Sequence, residues 1–492
     1  MNFKKELKVN KYLLKIDLNN LFLKKKNLFF FGTPYGIDFS KVDEENIESK
    51  IKEISGNFFI IVIKKNKITF ITDPISNFRA YYKFHKNKLI VFNDLKKLND
   101  FKLSLDKNIF DFFINKNYTP GNITFFKNIY KFQPCTIYHY TGKLDKKIYF
   151  EKFINSPNRS RLNKLLSNYL DNEINKIKNL NKRMILLFSG GKDSCLLFQN
   201  LIKKNVNFTP VYLHTNPESN ETLKNLKLAS DYCKKYKKKL KIICIDIRNE
   251  VPNKFRKNYL LFDHHISLLH FYGVKLIKKI YGKKIILISG QSCDSILSFG
   301  PSQYTVSNFI ARILIHLPFS IFSKFLIKLI NLKFKKKIFI IKNFKEYYRY
   351  FYYSFFYYVI GYENNSNFPY DKKVFNFTHS KNKKISNLMY LKCHGFLQGP
   401  DNLILIKVAE FFKINYVVMP YTSYNFIKII CQNYNFKLDI LFPKYIIDDL
   451  LKSYFIIKVK NFIYKKKSKV KLSDLDTKIK KDHINRILHE IR

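Results

Sequence analysis

Two short strings in this chain combine residue types that could do chemistry. Residues 189–194 read S-G-G-K-D-S and residues 289–295 read S-G-Q-S-C-D-S, each directly after an apolar, strand-like run. Glycines at such a turn let the backbone bend sharply and aim successive N–H groups at one point. A helix starting there adds the positive end of its dipole, so the point attracts phosphate oxygens. Ser189 and Ser194 can donate hydroxyl hydrogen bonds, and Asp193 can ligate Mg²⁺. A second turn of the same kind would carry Asp294 towards Asp193, and two carboxylates can share one metal ion. By itself Asp294 reads as an ordinary helix cap, and a lone strand–glycine–helix turn is commonplace. Together the two strings are more specific.

The elements around them form a regular series. MILLF (184–188), FTPVYLHT (208–215), KIICID (241–246) and KIILIS (284–289) read as strands. Between them, 193–204, 221–236 and 268–282 have helical spacing. Alternating strand and helix imply a parallel sheet covered on both faces, with both strings at its carboxyl edge. After about residue 300 the pattern turns helical.

Upstream, residues 57–63, 67–72 and 88–93 are short β-branched and aromatic runs of antiparallel type. Residues 108–118 have helical spacing, and 136–144 read as a hairpin turning at Thr141-Gly142. INSPNRSRLN, beginning at residue 154, supplies Pro, Asn and Ser before a new helix, so the chain divides into 1–153 and 154–492.

Composition excludes less than it suggests. The 90 Lys and Arg against 37 Asp and Glu give a net charge of +53, which favours nucleic acid or anionic membranes as partners. Yet the lysines run through the whole length and form no single stripe, so nucleic-acid binding is not the expectation. The seven cysteines are scattered without a C-x-x-C pair, which argues for reduced thiols and against a zinc site. The opening MNFKKELKVNKYLL intersperses charges and has no signal-peptide apolar core, so a cytoplasmic location is expected. Residues 310–330 approach the length of a membrane span, but Arg312, His316, Pro318, Lys324 and Lys328 interrupt them. Peripheral membrane contact over 310–362 stays open, as does a homodimer.

With both strings in view, the chain resembles the asparagine synthetase and β-lactam synthetase family of PP-loop ATP pyrophosphatases. S-G-G-K-D-S is similar to that family's S-G-G-L-D-S, and residues 289–295 to its S-G-E-G-A-D-E. MPYTS (419–423) resembles V-P-F-L-D, and PKYIIDDLLKSYF (443–455) with IYKKKSK (463–469) resembles the closing K-x-x-L-R…R-x-K segment. Gly56-Asn57-Phe58-Phe59, ITDP (71–74) and the runs 81–98 and 105–140 are similar to parts of its glutaminase domain. The resemblance implies an α/β fold, with a parallel-sheet PP-loop (adenine-nucleotide α-hydrolase-like) synthetase domain and a helical C-terminal part over 154–492. An α+β glutaminase-like (Ntn-type) domain would precede it.

The same resemblance implies the activity and the roles. The enzyme would use ATP and Mg²⁺ to adenylate a small-molecule carboxylate, releasing pyrophosphate, and would pass the acyl group to ammonia or an amine. Phe188 and Leu213 would frame the adenine through backbone groups. Ser189, Gly190, Gly191, Asp193 and Ser194 would bind pyrophosphate, and Ser289 and Gly290 the α-phosphate end. Asp193 and Asp294 would hold the metal, and one of Lys465, Lys466 and Lys467 would stabilise charge at the α-phosphate.

Departures from the pattern matter too. Asn2 stands where that family's glutaminase carries its cysteine nucleophile, so the first region reads as a degenerate glutaminase. Gln291 replaces a glutamate or tyrosine, and a neutral amide is no general base. His264 and His265 are candidates for that task, against a plain reading as surface histidines. Lys192 in place of leucine keeps a PP-loop tRNA-modifying enzyme as an alternative, and a non-catalytic nucleotide-binding scaffold is a third reading.

Overall fold

The computed structural model describes residues 3–94, 103–246, 268–297 and 400–451, apart from 10–11, 117–118, 120–121, 152, 217, 219, 415, 436–437, 439–441 and 443. Two antiparallel strand pairs come first. These are β1 (Phe3–Val9) with β2 (Tyr12–Leu18), and β3 (Leu21–Lys25) with β4 (Leu28–Gly32). Sequence reasoning had no strands here; β1 reads as a charged tail, since exposed Lys4, Glu6 and Lys8 alternate with half-buried Phe3, Lys5 and Leu7. After a short helix α1 (Ile47–Lys50) come β5 (Phe58–Lys64), β6 (Lys67–Thr72), β7 (Tyr81–His85) and β8 (Lys88–Phe92). Helix α2 (Lys107–Lys116), β9 (Ile129–Lys131), β10 (Thr136–Tyr140) and β11 (Leu144–Ile148) complete the region.

These strands make two sheets, in the orders β1-β2-β8-β7-β9 and β11-β10-β6-β5-β4-β3. All neighbours are antiparallel except β2 and β8, which run parallel. Phe29, Phe31, Phe59 and Ile61 face the other sheet and form a core with Leu14, Ile16 and Phe132. Their neighbours Leu28, Phe30, Phe58 and Ile60 point the opposite way, into a core shared with the rest of the molecule. This two-sided burial explains why β4 and β5 are continuous apolar runs instead of alternating ones. Among the described residues the region is dominated by strands, more so than the α+β expectation.

Helix α3 (Arg159–Lys178) opens the second region, capped by the Asn158 side chain on the Arg161 N–H. Next come β12 (Arg183–Leu187), α4 (Lys192–Lys203), β13 (Phe208–Asn216), α5 (Asn220–Lys235) and β14 (Lys241–Asp246). They are followed by α6 (Leu268–Tyr281), β15 (Ile285–Ile288) and α7 (Cys293–Leu297). Helix α8 (Pro400–Phe411), β16 (Tyr416–Val418), α9 (Tyr424–Asn433) and α10 (Tyr445–Leu450) end the described chain.

The sheet is parallel throughout, in the order β14-β13-β12-β15-β16. Residues of β12 alternate between its two covered faces. Met184 and Leu186 join the core with α3, α4, α5 and α9, while Ile185 packs with α6 and α8. The chain leaves β12 towards β13 on one side and returns to β15 on the other. That reversal opens a crevice at the carboxyl ends of β12 and β15, where sheets of this kind bind ligands. No described helix is long and apolar enough to cross a membrane. The stretch 310–362 lies outside the described residues.

Candidate functional site

Both glycine turns sit at that crevice. Strand β12 ends at Leu187, and the chain passes through Phe188, Ser189 and Gly190 to Gly191, which caps α4. Gly190 has a φ of +73°, and a Cβ there would lie 2.8 Å from the Asn225 carbonyl oxygen and the Ala229 nitrogen of α5. Glycine is needed both for the left-handed backbone and for the close approach of α5. The turn is braced internally, since Ser189 Oγ accepts from the Gly191 N–H at 3.3 Å and lies 3.2 Å from Ser194 Oγ. Behind β15, Ser289 Oγ accepts from the Gln291 N–H at 3.2 Å, the same brace in the second turn.

The two turns touch. A Cβ on Gly290 would lie 3.1 Å from the Ser194 nitrogen and 3.3 Å from the Asp193 Cβ. The second turn therefore abuts the amino end of α4, where backbone N–H groups and the helix dipole favour an anion. Between them opens a cavity of about 430 Å³, lined by Ser189, Gly191, Asp193 and Ser194 on one side and Ser289 and Gly290 on the other. Phe188 and Leu213 line it as well. The Phe188 ring packs into the core against Phe198 and Tyr232, and its N–H donates to the Val211 carbonyl. What it can offer a ligand is backbone. Leu213 is held by Gly273 of α6, where a Cβ would come within 2.6 Å of its side chain.

The electrostatics of the turn come from Lys444, to which sequence reasoning gave no role although it singled out the segment 443–455. Lys444 Nζ donates to both carboxylate oxygens of Asp193, at 2.9 and 2.7 Å, and both side chains are largely buried. Lys192 pairs in turn with Asp448 of α10. The start of α10 thus clasps the start of α4 crosswise, cation to anion at each contact. Tyr421, in the MPYTS string, donates its hydroxyl to the Asp193 carbonyl at 2.9 Å, and burial keeps that phenol protonated. A signal for Lys444 did exist. PKYIIDD places one cation and two acids at a helix start, complementary to the Lys192-Asp193 pair.

On the far wall of the cavity His270 and Gln291 meet, with Nε2 to Nε2 at 2.9 Å. Burial pushes the imidazole down to about 4, so it is neutral at pH 7. The cysteines nearest the turns are not nucleophiles. Cys195 and Cys293 are buried, and burial pushes the Cys195 thiol well above its usual range.

Of the expected site residues, Phe188, Ser189, Gly190, Gly191, Asp193, Ser194, Leu213, Ser289 and Gly290 gather around this crevice. The backbone of Asp294 lies in α7, directly after the second turn. Its side chain, Lys465, Lys466, Lys467, His264 and His265 fall outside the described residues. A hard cation fits the donor set at Asp193, a carboxylate at an anion-binding turn that already attracts an ammonium group.

No family model matches the chain. Over 201 residues, 40% of its length, it is 27% identical to the microcin J25-processing protein McjC of Escherichia coli. The matched stretch spans 37% of that protein, well under two thirds of it. The similarity supports a distant relation.

Proposed function

We propose that this protein is an ATP-dependent, AMP-forming amide ligase of the asparagine synthetase type. The observation that carries the reading is the contact of the two serine–glycine turns at the crevice beside β12, with Asp193 in its lining and Lys444 paired to that carboxylate. ATP would lie with its adenine towards Phe188 and Leu213 and its phosphates against the amino end of α4. When bound, Mg²⁺ would neutralise charge on the phosphate oxygens, and Asp193, with Asp294 by resemblance, would hold it.

The chain's own groups would do the rest. Ser189, Ser194 and the N–H groups of the first turn hold the β- and γ-phosphates, fixing pyrophosphate as the leaving group. Lys444 turns from the Asp193 carboxylate to the phosphates and offsets the negative charge that builds as a substrate carboxylate attacks the α-phosphorus. It takes a place the resemblance had assigned only to Lys465, Lys466 or Lys467. The acyl-adenylate then reacts with ammonia or an amine.

The nitrogen would come from outside the first region. Cys135, the one cysteine in residues 1–153, is fully buried beside Tyr149 and cannot act on glutamine. McjC is named for processing microcin J25, and we extend that to a carboxylate on the precursor of a related compound. The test is carboxylate-dependent exchange of labelled pyrophosphate into ATP, first with a total small-molecule cell extract and then with fractions of it. Exchange that needs both Mg²⁺ and a carboxylate supports the ligase. ATP binding with no exchange under any fraction leaves a nucleotide-binding scaffold instead.

A further inference from the structure

We propose that the amino edge of the parallel sheet, opposite the crevice, is a docking surface for an anionic lipid bilayer. The inference goes beyond the ligase reading and does not depend on it. In a parallel sheet wound with helices, each helix runs back and delivers the chain to the amino edge, where the next strand starts. Here α3, α4, α5 and α6 lead in this way to β12, β13, β14 and β15. The last turns of these helices and the connections that follow are residues 175–183, 200–207, 232–241 and 278–284.

Those four segments carry sixteen Lys and Arg and no Asp or Glu. Scattered along the sequence, these cations are gathered only by the fold. A lysine-rich composition alone does not produce the pattern. At the carboxyl edge the segments 188–194, 216–222 and 289–295 hold four acids and one cation. Helix dipoles account for lysines in last turns, which face the negative end. They do not account for Lys182, Arg183, Lys283 and Lys284, which lie beyond the helices at the strand starts. Each connection turns at a residue of positive φ, Asn181, Asn205, Lys237 or Gly282, so it is tight and keeps its cations at the edge.

Few of these charges are answered within the chain. Lys176 pairs with Glu173, and Lys203 and Lys204 with Asp171. Among the described residues Lys182, Arg183, Lys238, Lys283 and Lys284 meet no carboxylate. Three of them lie over rings at the rim of the sheet. Lys182 stands over Tyr416 at 5.7 Å, Arg183 over Tyr281 at 4.5 Å and Lys238 over Phe208 at 5.2 Å. A recess of about 460 Å³ opens beside the starts of β12 and β13, lined by Lys178, Lys182 and Arg183 with Asn181, Asn207 and Thr209. Its ammonium, guanidinium and amide donors suit the phosphate of a lipid headgroup.

Shape and apolar content favour a bilayer over a nucleic acid. The cations spread across four strand starts, about 14 Å of sheet, and onto helices on both faces, which makes a broad face and not a groove. Ile280 is 47% exposed and lies between Lys279 and Lys283 in the chain. Phe22, 36% exposed, sets its ring against Tyr416 at the same rim. Exposed apolar groups among lysines gain from insertion below the headgroups and gain little against a sugar–phosphate backbone. With this edge on the bilayer, the crevice at the carboxyl edge faces away from it and stays open.

The experiment floats the full chain with vesicles of phosphatidylcholine, alone or mixed equally with phosphatidylglycerol. The mixed vesicles should bind at least about tenfold more tightly, and added salt should weaken that binding. Arg183→Gln, Lys283→Gln and Lys284→Gln together should weaken it about 30-fold or more, since each cation at an anionic surface contributes about fivefold. Lys8→Gln, Lys86→Gln and Lys143→Gln remove the same charge around Tyr12 and Leu13, at the far end of β2 from Phe22. They should change binding by less than about threefold. All six side chains are exposed, so both triple variants should melt with the unaltered protein. Ile280→Ser should weaken vesicle binding about threefold or more and leave binding of a random RNA unchanged. Equal losses in the two triple variants would make net charge alone the cause and overturn the inference. Equal binding to the two kinds of vesicle, or tighter binding to random RNA than to mixed vesicles, would overturn it as well.

Discussion

Lys444 has a φ of +58°, a left-handed backbone that a lysine occupies at a cost of about 1 kcal/mol or more. A strained residue whose side chain reaches the central carboxylate is placed for its charge. Lys444→Gly would relax the backbone and remove the ammonium group. Because the largely buried Asp193 carboxylate loses its partner, stability in urea should fall by about 1–3 kcal/mol, while pyrophosphate exchange should fall at least about tenfold. Asp73 is the contrasting case, a buried carboxyl with a structural task. It accepts from the backbone N–H groups of Phe58, Ile75, Asn77 and Phe78 at 2.8–3.2 Å. Burial nonetheless pushes it up to about 6. Between about pH 4 and 6 the folded chain therefore holds this proton and the unfolded chain does not, so stability falls as pH rises through that window. In Asp73→Asn this part of the slope should vanish from denaturation curves measured between pH 4 and pH 7. A slope unchanged by the substitution would mean that other groups set it.

At the scale of elements, the site depends on how closely α5 and α10 approach the first turn. Gly190→Ala would force a left-handed alanine against the α5 backbone, costing about 2–4 kcal/mol of stability and most of the nucleotide affinity. Thermal unfolding and calorimetric titration with ATP and Mg²⁺ would measure the two losses. The Lys192–Asp448 pair should matter little to stability, because Asp448 is 43% exposed and such pairs contribute under about 1 kcal/mol.

Much of this arrangement was legible in the sequence. The alternation from residue 184 to 289 gave each strand of the parallel sheet up to β15 within a residue or two: β12 and β15 are buried apolar runs, and β14, exposed on alternate residues at the sheet edge, still carries a β-branched run. Other parts were hidden for physical reasons. The β1 strand is half exposed and lysine-rich, so it reads as a tail. The Lys444–Asp193 contact joins residues 251 apart in sequence, so the complementary charges of PKYIIDD and the first turn hint at it without fixing the pairing. His270 sits in an apolar helix where a histidine reads as core, and only its meeting with Gln291 sets it apart.

At the scale of the whole molecule, the two regions share one core. Leu28, Phe30, Phe58 and Ile60 of the sandwich pack in the same cluster as Leu166 and Leu170 of α3 and Ile427 of α9. The interface is pinned by a buried acid. Glu173, 1% exposed, accepts from the Tyr35 hydroxyl at 2.7 Å and from Ser55 at 3.2 Å. The connecting segment docks as well, with the Ser156 N–H donating to the Gln432 carbonyl at 2.7 Å. Calorimetry should therefore show one cooperative transition, and residues 154–492 expressed alone should be insoluble or markedly destabilised. Two well-separated transitions would contradict a shared core. The first region, on this view, serves as a structural wall for the parallel sheet.

The claim on which the rest depends is that the crevice beside β12 is a triphosphate site. Titration of the full chain with ATP and Mg²⁺ in a calorimeter tests it most directly, with pyrophosphate as competitor. The account predicts saturable binding at one site, displacement by pyrophosphate, and a loss of about tenfold or more in affinity in Ser194→Ala and Gly190→Ala alike. No heat of binding, or binding that both variants and excess pyrophosphate leave untouched, would contradict it.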